Sequence, residues 1–259
     1  MEAIGISIFQ PLLRSETPAA RLSYLDIAAE RASEKDSSVL ICPELFLLGS
    51  GRAEDVPERA EAVSGEYAER VAEIAFLHDI CLIYGYPEKR GEQFHNAAAC
   101  VTQNGTVLAN HRKNNLGTDT AQAVFTAGDG ITMFEFESWR IALFFDAETE
   151  LPDLAHAAVM AGAQLFIVVA GPDGGRPIDG KTLLATRAFE SKTYLAFATY
   201  AKDASGQGSA IFDPTGGVVA GAGYGQEILT ARLNPDSLTL ARQGVPFIND
   251  RRPFTDDLF

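Results

Sequence analysis

Three short and almost wholly apolar segments in the middle of the chain constrain its fold more than any other feature. They lie at residues 140–145, 165–170 and 194–199, and helix-like segments at residues 151–161 and 181–192 separate them. A strand that is apolar on both faces must be covered on both faces, which is typical of the parallel sheets of α/β proteins. The middle of the chain is therefore predicted to form strand–helix–strand units.

The first third of the chain shows the same alternation. Strands are predicted at residues 3–9, 39–42 and 80–86, and amphipathic helices at residues 19–35 and 67–78. The helical segments carry apolar residues along one face only, so each is expected to pack on a sheet by that face. This part of the chain is predicted to add further strands and helices of the same α/β type.

Two hairpins complete the pattern. One joins residues 96–101 and 107–110 through Asn104-Gly105, a pair that accepts the positive φ angles of a type I′ turn. The other spans residues 208–221, with its turn at residues 213–217. Hairpins combined with strand–helix–strand units predict two mixed sheets that face each other with helices outside, a four-layer α-β-β-α sandwich of the α/β class.

The length of the chain bounds the number of its domains, and its charge excludes some classes of binding partner. The 259 residues are predicted to form one domain, residues 1–259, with a short tail from about residue 246 to 259. The formal net charge of −14 repels phosphate backbones and anionic lipids, so neither nucleic acid nor a membrane is expected as a partner. No stretch is long and apolar enough to span a bilayer, and the first residues do not resemble a signal peptide.

The cysteines and histidines bear on the redox compartment and on metal binding. The three cysteines, Cys42, Cys81 and Cys100, lie in apolar segments at spacings that fit no zinc site, which is typical of reduced thiols in a cytoplasmic protein. The four histidines are scattered along the chain. Neither a metal ion nor a cofactor is expected.

A series of short motifs occurs in a fixed order along the chain. They are Pro43-Glu44 at the end of an apolar strand, His111-Arg112-Lys113 followed by Leu116, Phe125-Thr126-Ala127-Gly128-Asp129, Glu150-Leu151-Pro152-Asp153 after a second apolar strand, Arg187-Ala188-Phe189-Glu190, and Asp213-Pro214 with its glycines. Their order resembles the nitrilase superfamily of carbon–nitrogen hydrolases over almost the whole chain, and most nearly its small aliphatic amidase branch. The resemblance implies the α-β-β-α sandwich and assembly as a homodimer or higher homo-oligomer.

The resemblance assigns four catalytic positions. Glu44 matches the general base of the family, and Lys113 matches the lysine that stabilises the tetrahedral intermediate. Asp146 stands where the family has its nucleophilic cysteine, in a register that needs no gap before Pro152. Ala121 stands where the amidase branch usually has a second glutamate. Two of the four catalytic positions are therefore substituted.

Replacement of the cysteine removes the chemistry on which the family depends. A thiolate attacks an amide or nitrile carbon and forms a covalent intermediate, whereas a carboxylate is a weaker nucleophile toward an amide. A tetrahedral intermediate on Asp146 would expel the carboxylate more readily than an amine. Loss of a nucleophile commonly lowers the rate by several orders of magnitude. We therefore expect a non-hydrolytic pseudoenzyme whose pocket still binds a small amide, amine or carboxylate.

The two substitutions balance each other in charge. The family site, with two glutamates, a lysine and a neutral thiol, carries a net charge of −1, and so does a site with Glu44, Asp146 and Lys113. A second glutamate at position 121 would crowd three carboxylates around one lysine, which is electrostatically expensive. The hypothesis is that Asp146 and Ala121 form a coupled pair.

Two alternatives remain open at this stage. In one, the chain is an active hydrolase of small amide or carbamoyl substrates, with Glu44 or Asp146 as general base for water and Lys113 as oxyanion partner. In the other, it is a scaffold or partner-binding protein that uses only the fold. Asp119 and Cys42 are the candidates to replace the missing groups, although Cys42 lies in an apolar segment before a proline and is expected to be a buried, inert thiol.

Overall fold

The computed structural model describes residues 1–14, 16–49, 53–171, 180–201 and 208–243. The predicted tail at residues 246–259 lies outside this part of the chain. Within it, strands and helices alternate along most of the sequence, and the strands form two six-stranded sheets.

The first sheet has the order β12-β1-β2-β3-β4-β5. Its strands are β1 (Ile4–Gln10), β2 (Val39–Ile41), β3 (Cys81–Arg90), β4 (Gln93–Val101), β5 (Val107–Arg112) and β12 (Glu227–Leu233). Strands β1, β2 and β3 are parallel, whereas β4, β5 and β12 each pair antiparallel with their neighbours. Strand β5 therefore runs in the same direction as β2, and both end at the same edge of the sheet.

The second sheet has the order β11-β10-β9-β8-β7-β6. Its strands are β6 (Thr132–Phe136), β7 (Trp139–Phe145), β8 (Leu165–Val169), β9 (Tyr194–Ala198), β10 (Ala210–Phe212) and β11 (Val218–Gly221). The three apolar segments of the middle of the chain are β7, β8 and β9, and they are parallel as predicted. All five residues of β8 and of β9 are buried, because side chains on both faces of these strands are covered.

Seven α-helices in the described part of the chain accompany the sheets. They are α1 (Pro18–Ser33), α2 (Val56–Arg59), α3 (Glu66–Leu77), α4 (Asp119–Val124), α5 (Pro152–Met160), α6 (Gly180–Ser191) and α7 (Pro235–Gln243). Helices α1, α3, α5 and α6 cover the outer faces. Helix α1 begins where Thr17 Oγ1 accepts the N–H of Ala20 and where Pro18 loses no hydrogen bond, and α5 likewise begins at Pro152.

Three apolar layers hold the sandwich together. The central layer lies between the sheets, where alternate strand residues such as Ile6, Ile83 and Ile141 meet. The other two layers lie between the first sheet and α1 and α3, and between the second sheet and α5 and α6. The predicted α-β-β-α sandwich is confirmed.

The first hairpin differs from its prediction in the turn. The φ angle is positive at Gly105 (79°) but not at Asn104, so the turn is not of type I′. Residues 103–105 form a three-residue loop instead, closed by hydrogen bonds between Thr102 and Thr106. The physical reason is local, because the Asn104 side-chain oxygen accepts the hydroxyl of Thr102 and the N–H of Thr106.

All three cysteines are free and buried, in agreement with the prediction of reduced thiols. None of the helices in the described part of the chain is long and apolar enough to cross a bilayer.

Candidate active site

The three charged residues assigned from the sequence each follow the end of a strand. Glu44 lies just after β2, Lys113 directly after β5 and Asp146 directly after β7. Strands β2 and β5 end at the same edge of the first sheet, and β7 belongs to the second sheet. The carboxyl ends of strands are where loops carry functional groups in α/β proteins. The site is therefore shared by the two sheets.

Lys113 joins the two carboxylates. Its Nζ donates to Glu44 Oε1 at 2.8 Å and to Asp146 Oδ1 at 3.2 Å. The exposed fraction of the side chain is 11% for Lys113, 7% for Glu44 and 20% for Asp146. The structure thus brings Glu44, Lys113 and Asp146 together in a largely buried cluster that still reaches solvent at Asp146.

The loop that carries Glu44 is fixed against β3. Leu47 donates its N–H to the Gly85 carbonyl, and the Gly85 N–H is donated in turn to the Pro43 carbonyl. A Cβ at position 85 would lie 2.4 Å from the Leu45 nitrogen, so only glycine permits this close approach. Leu45 has a positive φ of 49°, a backbone conformation that residues other than glycine rarely adopt.

Two further residues hold Glu44 itself. Asn96, on β4, donates its side-chain N–H to Glu44 Oε1 at 2.5 Å, and the Tyr200 hydroxyl donates to the Glu44 carbonyl at 3.1 Å. The other carboxylate oxygen of Glu44 faces Gly171, where a Cβ would lie only 3.2 Å from it. Asn96 and Lys113 therefore hold one oxygen of the Glu44 carboxylate, and the other oxygen faces a residue without a side chain.

Glu148 ties the segment after β5 to the end of β7. Its Oε1 accepts the backbone and side-chain N–H groups of Asn114, at 2.8 and 2.9 Å. Its Oε2 accepts His111 Nε2 at 2.9 Å and the Phe145 N–H at 2.8 Å. Burial alone would raise the pKa of Glu148, but these hydrogen bonds outweigh burial and hold its pKa below the ordinary value. Lys113 and Asp146 are thereby positioned by the same carboxylate.

The electrostatics of the cluster follow from burial and from its charge. Burial raises the pKa of Glu44, Lys113 acts against that rise, and the nearby charge of Asp146 adds to it. Burial would lower the pKa of Lys113, but the two carboxylates outweigh burial and raise its pKa above the ordinary value. Lys113 is accordingly charged, and the formal charge of one lysine and two carboxylates is −1.

Of the remaining positions considered from the sequence, Ala121 and Cys42 add no charged group to this cluster. Ala121 is the third residue of α4, where its N–H is donated to Thr118 Oγ1 at 3.2 Å and its methyl side chain carries no charge. Asp119 begins α4, but its side chain lies outside the described residues. Cys42 packs between the first sheet and its helices, and burial raises the pKa of its thiol, so it does not supply a thiolate.

Sequence reasoning missed the roles of Asn96, Glu148 and Tyr200. Asn96 had a signal, because it is a polar residue directly before the apolar run of residues 97–101 in β4. Glu148 accepts four N–H groups only because the end of β5 in one sheet meets the end of β7 in the other. Tyr200 follows β9 without any pattern that distinguishes it. Among the residues that the structure describes, no group of three or more metal-binding side chains is found.

Comparisons with known proteins identify the family of the chain. The profile of the family described as carbon-nitrogen hydrolase matches residues 4–243. A Pseudomonas protegens protein described as a hydrolase in the pqqF 5′ region is 30% identical over 100% of this chain and 93% of its own length.

Two solved structures illustrate the likeness in fold. A Saccharomyces cerevisiae member of branch 10 of the nitrilase superfamily has a TM-score of 0.87, with 21% identity and 97% of each chain covered. An amidase from a Nesterenkonia species has a TM-score of 0.77 and is 26% identical, over 94% of this chain and 97% of its own.

Proposed function

The chain belongs to the carbon–nitrogen hydrolase family, and from that premise we propose that it is a non-hydrolytic member that binds a small polar ligand at Glu44, Lys113 and Asp146. One observation carries the proposal. The residue at the nucleophile position, Asp146, is a carboxylate that accepts a hydrogen bond from Lys113 at 3.2 Å. The lysine that should face developing negative charge is therefore already neutralised by two carboxylates.

The environment of Asp146 supports a binding role for this residue. Its Oδ1 accepts the N–H of Ala147 at 2.7 Å in addition to the Lys113 ammonium. Hydrogen bonds to the charged form of a carboxylate stabilise its electron pairs and make it a poorer nucleophile. An amide carbon is a weak electrophile, so attack by such a carboxylate would be slow and its intermediate would return to starting materials.

Related proteins support retention of a ligand after loss of a cysteine. In the Nesterenkonia amidase, one variant that is 25% identical to this chain shows the Michael addition of acrylamide at its active-site cysteine. Another variant of that amidase, with a cysteine replaced by alanine, has been solved in complex with butyramide. That protein therefore binds a small amide in the absence of a cysteine.

An active hydrolase is the second candidate, because the site also has features of a general base. The Asp146 side chain keeps 20% of its surface exposed, and burial raises the pKa of Glu44 toward the range of effective bases. In this candidate, a water molecule activated by either carboxylate attacks a small amide while Lys113 faces the developing oxyanion.

A paired assay separates the two candidates. A panel of small amides and nitriles is incubated with the natural protein and with the Asp146→Cys, Ala121→Glu double variant, and ammonia release is measured. We expect turnover by the double variant alone. Ammonia release by the natural protein that disappears in Lys113→Ala would contradict the proposed function and favour the active hydrolase. Asp146→Ser with Ala121→Glu serves as the control, since it restores the glutamate without a thiol.

A further inference from the structure

The unoccupied hydrogen-bonding atoms of the cluster are mostly acceptors. Lys113 and Asn96 both donate to Glu44 Oε1, and Lys113 and Ala147 both donate to Asp146 Oδ1. Among the described residues, no donor contacts the second oxygen of either carboxylate. A carboxylate oxygen accepts two hydrogen bonds with ease, so both atoms remain available to a ligand that can donate.

A third acceptor at the site is buried and has no partner. The side-chain carbonyl oxygen of Asn96 receives no hydrogen bond within the described part of the chain, although Asn96 is only 5% exposed. Its orientation follows from chemistry, because the Glu44 carboxylate can only accept and the Asn96 amide must therefore turn its nitrogen toward it. A buried acceptor without a donor is destabilising, and a donor supplied by a ligand would relieve it.

Charge decides which kind of donor fits best. Among the described residues, Lys113 is the one cation that pairs with Glu44 and Asp146. The neighbouring Arg112 is held by Glu88 through two hydrogen bonds of 2.6 and 2.7 Å. The cluster has a formal charge of −1 in a place where little solvent screens it. A ligand carboxylate would add a third negative charge, and a neutral amide would leave the imbalance unchanged.

The second oxygen of Glu44 faces a position that has no side chain. Position 171 has no side chain, and a Cβ there would lie 3.2 Å from Glu44 Oε2. A side chain at position 171 would crowd this oxygen, whereas Lys113 and Asn96 contact the other one.

We propose that the cluster of Glu44, Lys113 and Asp146 binds a small organic cation through its N–H groups, namely a protonated amine. This inference rests on the proposed function and specifies its ligand class. The ammonium donates to the second oxygens of Glu44 and Asp146 and to the Asn96 side-chain oxygen, and its charge brings the cluster to neutrality. Such bonds are charge-assisted and stronger than those a neutral amide can make.

The test compares four probes at matched ionic strength. Methylammonium carries charge and N–H donors, tetramethylammonium carries charge alone, acetamide carries donors alone, and acetate carries the opposite charge. Binding is measured by calorimetry and by the melting temperature of the full chain. We expect methylammonium to bind and to raise the melting temperature, tetramethylammonium and acetate to have no effect, and acetamide to bind more weakly.

Two variants connect binding to the cluster. Asp146→Asn keeps the size of the side chain and removes its charge, and it should weaken methylammonium binding about tenfold or more. Glu135→Gln is the matched control, because Glu135 is an exposed carboxylate paired with Arg140 on β6 and β7. It should leave the affinity unchanged. Methylammonium binding that Asp146→Asn does not weaken would overturn the inference.

The failures of this inference and of the proposed function can be told apart. Tighter binding of acetamide or acetate than of methylammonium, without turnover, overturns the cation preference and leaves the proposed function standing. Ammonia release from acetamide by the natural protein overturns the proposed function whatever the order of the affinities. Absence of binding by all four probes counts against both.

Discussion

At the scale of single residues, Glu44 shows how one buried group couples the site to pH. Its carboxylate is held by Lys113 and Asn96, yet burial and the charge of Asp146 make ionisation of Glu44 harder than in the unfolded chain. A group whose pKa is raised on folding contributes stability that is present below its unfolded pKa and is lost as the pH rises through its folded pKa. Folding therefore makes ionisation of Glu44 more costly than it is in the unfolded chain.

The first prediction concerns this pH dependence. As the pH rises from the ordinary pKa of 4.5 through the raised value, the natural protein should lose stability relative to Glu44→Gln, which cannot ionise at this position. Other carboxylates contribute almost equally to both proteins, so the difference between the two melting curves isolates Glu44. In Asp146→Asn the pH effect should shrink, because Asp146 contributes to the raised pKa. A difference that is constant with pH, or that grows in the opposite direction, would contradict the prediction.

At the scale of elements, Glu148 links two strand ends from different sheets. Four N–H groups from Asn114, His111 and Phe145 donate to one buried carboxylate, and the side chain of Glu148 is inaccessible to solvent. Such an arrangement aligns Lys113 with Asp146 through the backbone on which each is carried. Removal of its acceptor would leave several buried donors without partners.

The second prediction follows from this link. Glu148→Ala should destabilise the protein by about 3 kcal/mol or more, since it removes one partner from a buried, charge-assisted network. Chemical denaturation gives the free energy of unfolding directly. Glu135→Ala is the control, because its ion pair with Arg140 is exposed and should contribute less than about 1 kcal/mol. Equal effects of the two variants would show that Glu148 is not a structural link.

At position 121, in the short helix α4, a glutamate would change the stability of the protein in two ways. Thr118 caps α4 and Ala121 is its third residue, so a glutamate at position 121 would complete a capping box and gain local stability. The hypothesis of a coupled pair predicts an opposing loss from crowding with Glu44 and Asp146. A single Ala121→Glu variant mixes the two effects.

The third prediction therefore uses a double-mutant cycle. Ala121→Glu should be less stabilising, or more destabilising, with Asp146 than in the Asp146→Asn background, by at least about 0.5 kcal/mol. The capping contribution is common to both backgrounds and cancels. Additive free energies of unfolding would refute the coupling between the two positions, whichever sign the single variant has.

The elements that the sequence predicted are those with strong patterns. The ends of the apolar strands β7, β8 and β9 were predicted to within one or two residues, because a strand buried on both faces has a continuous apolar sequence. Strands β6 and β12 and helix α7 were not predicted. Strand β6 lies at a sheet edge with partly exposed residues, and α7 has Leu238 as its buried residue, so neither carries a clear periodic signal.

The residues of the site also fall into those that local motifs predicted and those that only the tertiary structure brings together. Glu44, Lys113 and Asp146 were predicted because motifs fix their register, and the structure brings them together. Asn96 and Tyr200 reach Glu44 only through the pairing of β4 with β3 and the packing of the two sheets, which no local pattern encodes. The hydrogen bond between Lys113 and Asp146 likewise depends on contact between the sheets.

At the scale of the whole molecule, the outer face formed by α5 and α6 bears on assembly. These helices pack against each other on the second sheet, beside the turn of residues 146–150 that carries Asp146. Met160 and Phe189 on them are both exposed. Exposed apolar side chains that come from adjacent elements are typical of protein–protein interfaces. The family resemblance implied a homodimer or higher homo-oligomer.

The fourth prediction is that this face forms the interface of a homodimer. Phe189, which is 54% exposed, should be essential, so Phe189→Asp should shift the mass measured by light scattering from two chains to one. Phe76→Asp provides the control, because Phe76 is even more exposed (76%) but lies on α3, which covers the opposite sheet. If burial of apolar area drives assembly through α5 and α6, a charge at position 76 has no effect on the mass.

A natural protein that is monomeric at micromolar concentration, or a monomer produced equally by both variants, would refute an interface at this face. Because the turn that carries Asp146 lies next to α5, a monomeric Phe189→Asp that binds methylammonium less tightly would further indicate that assembly supports the site.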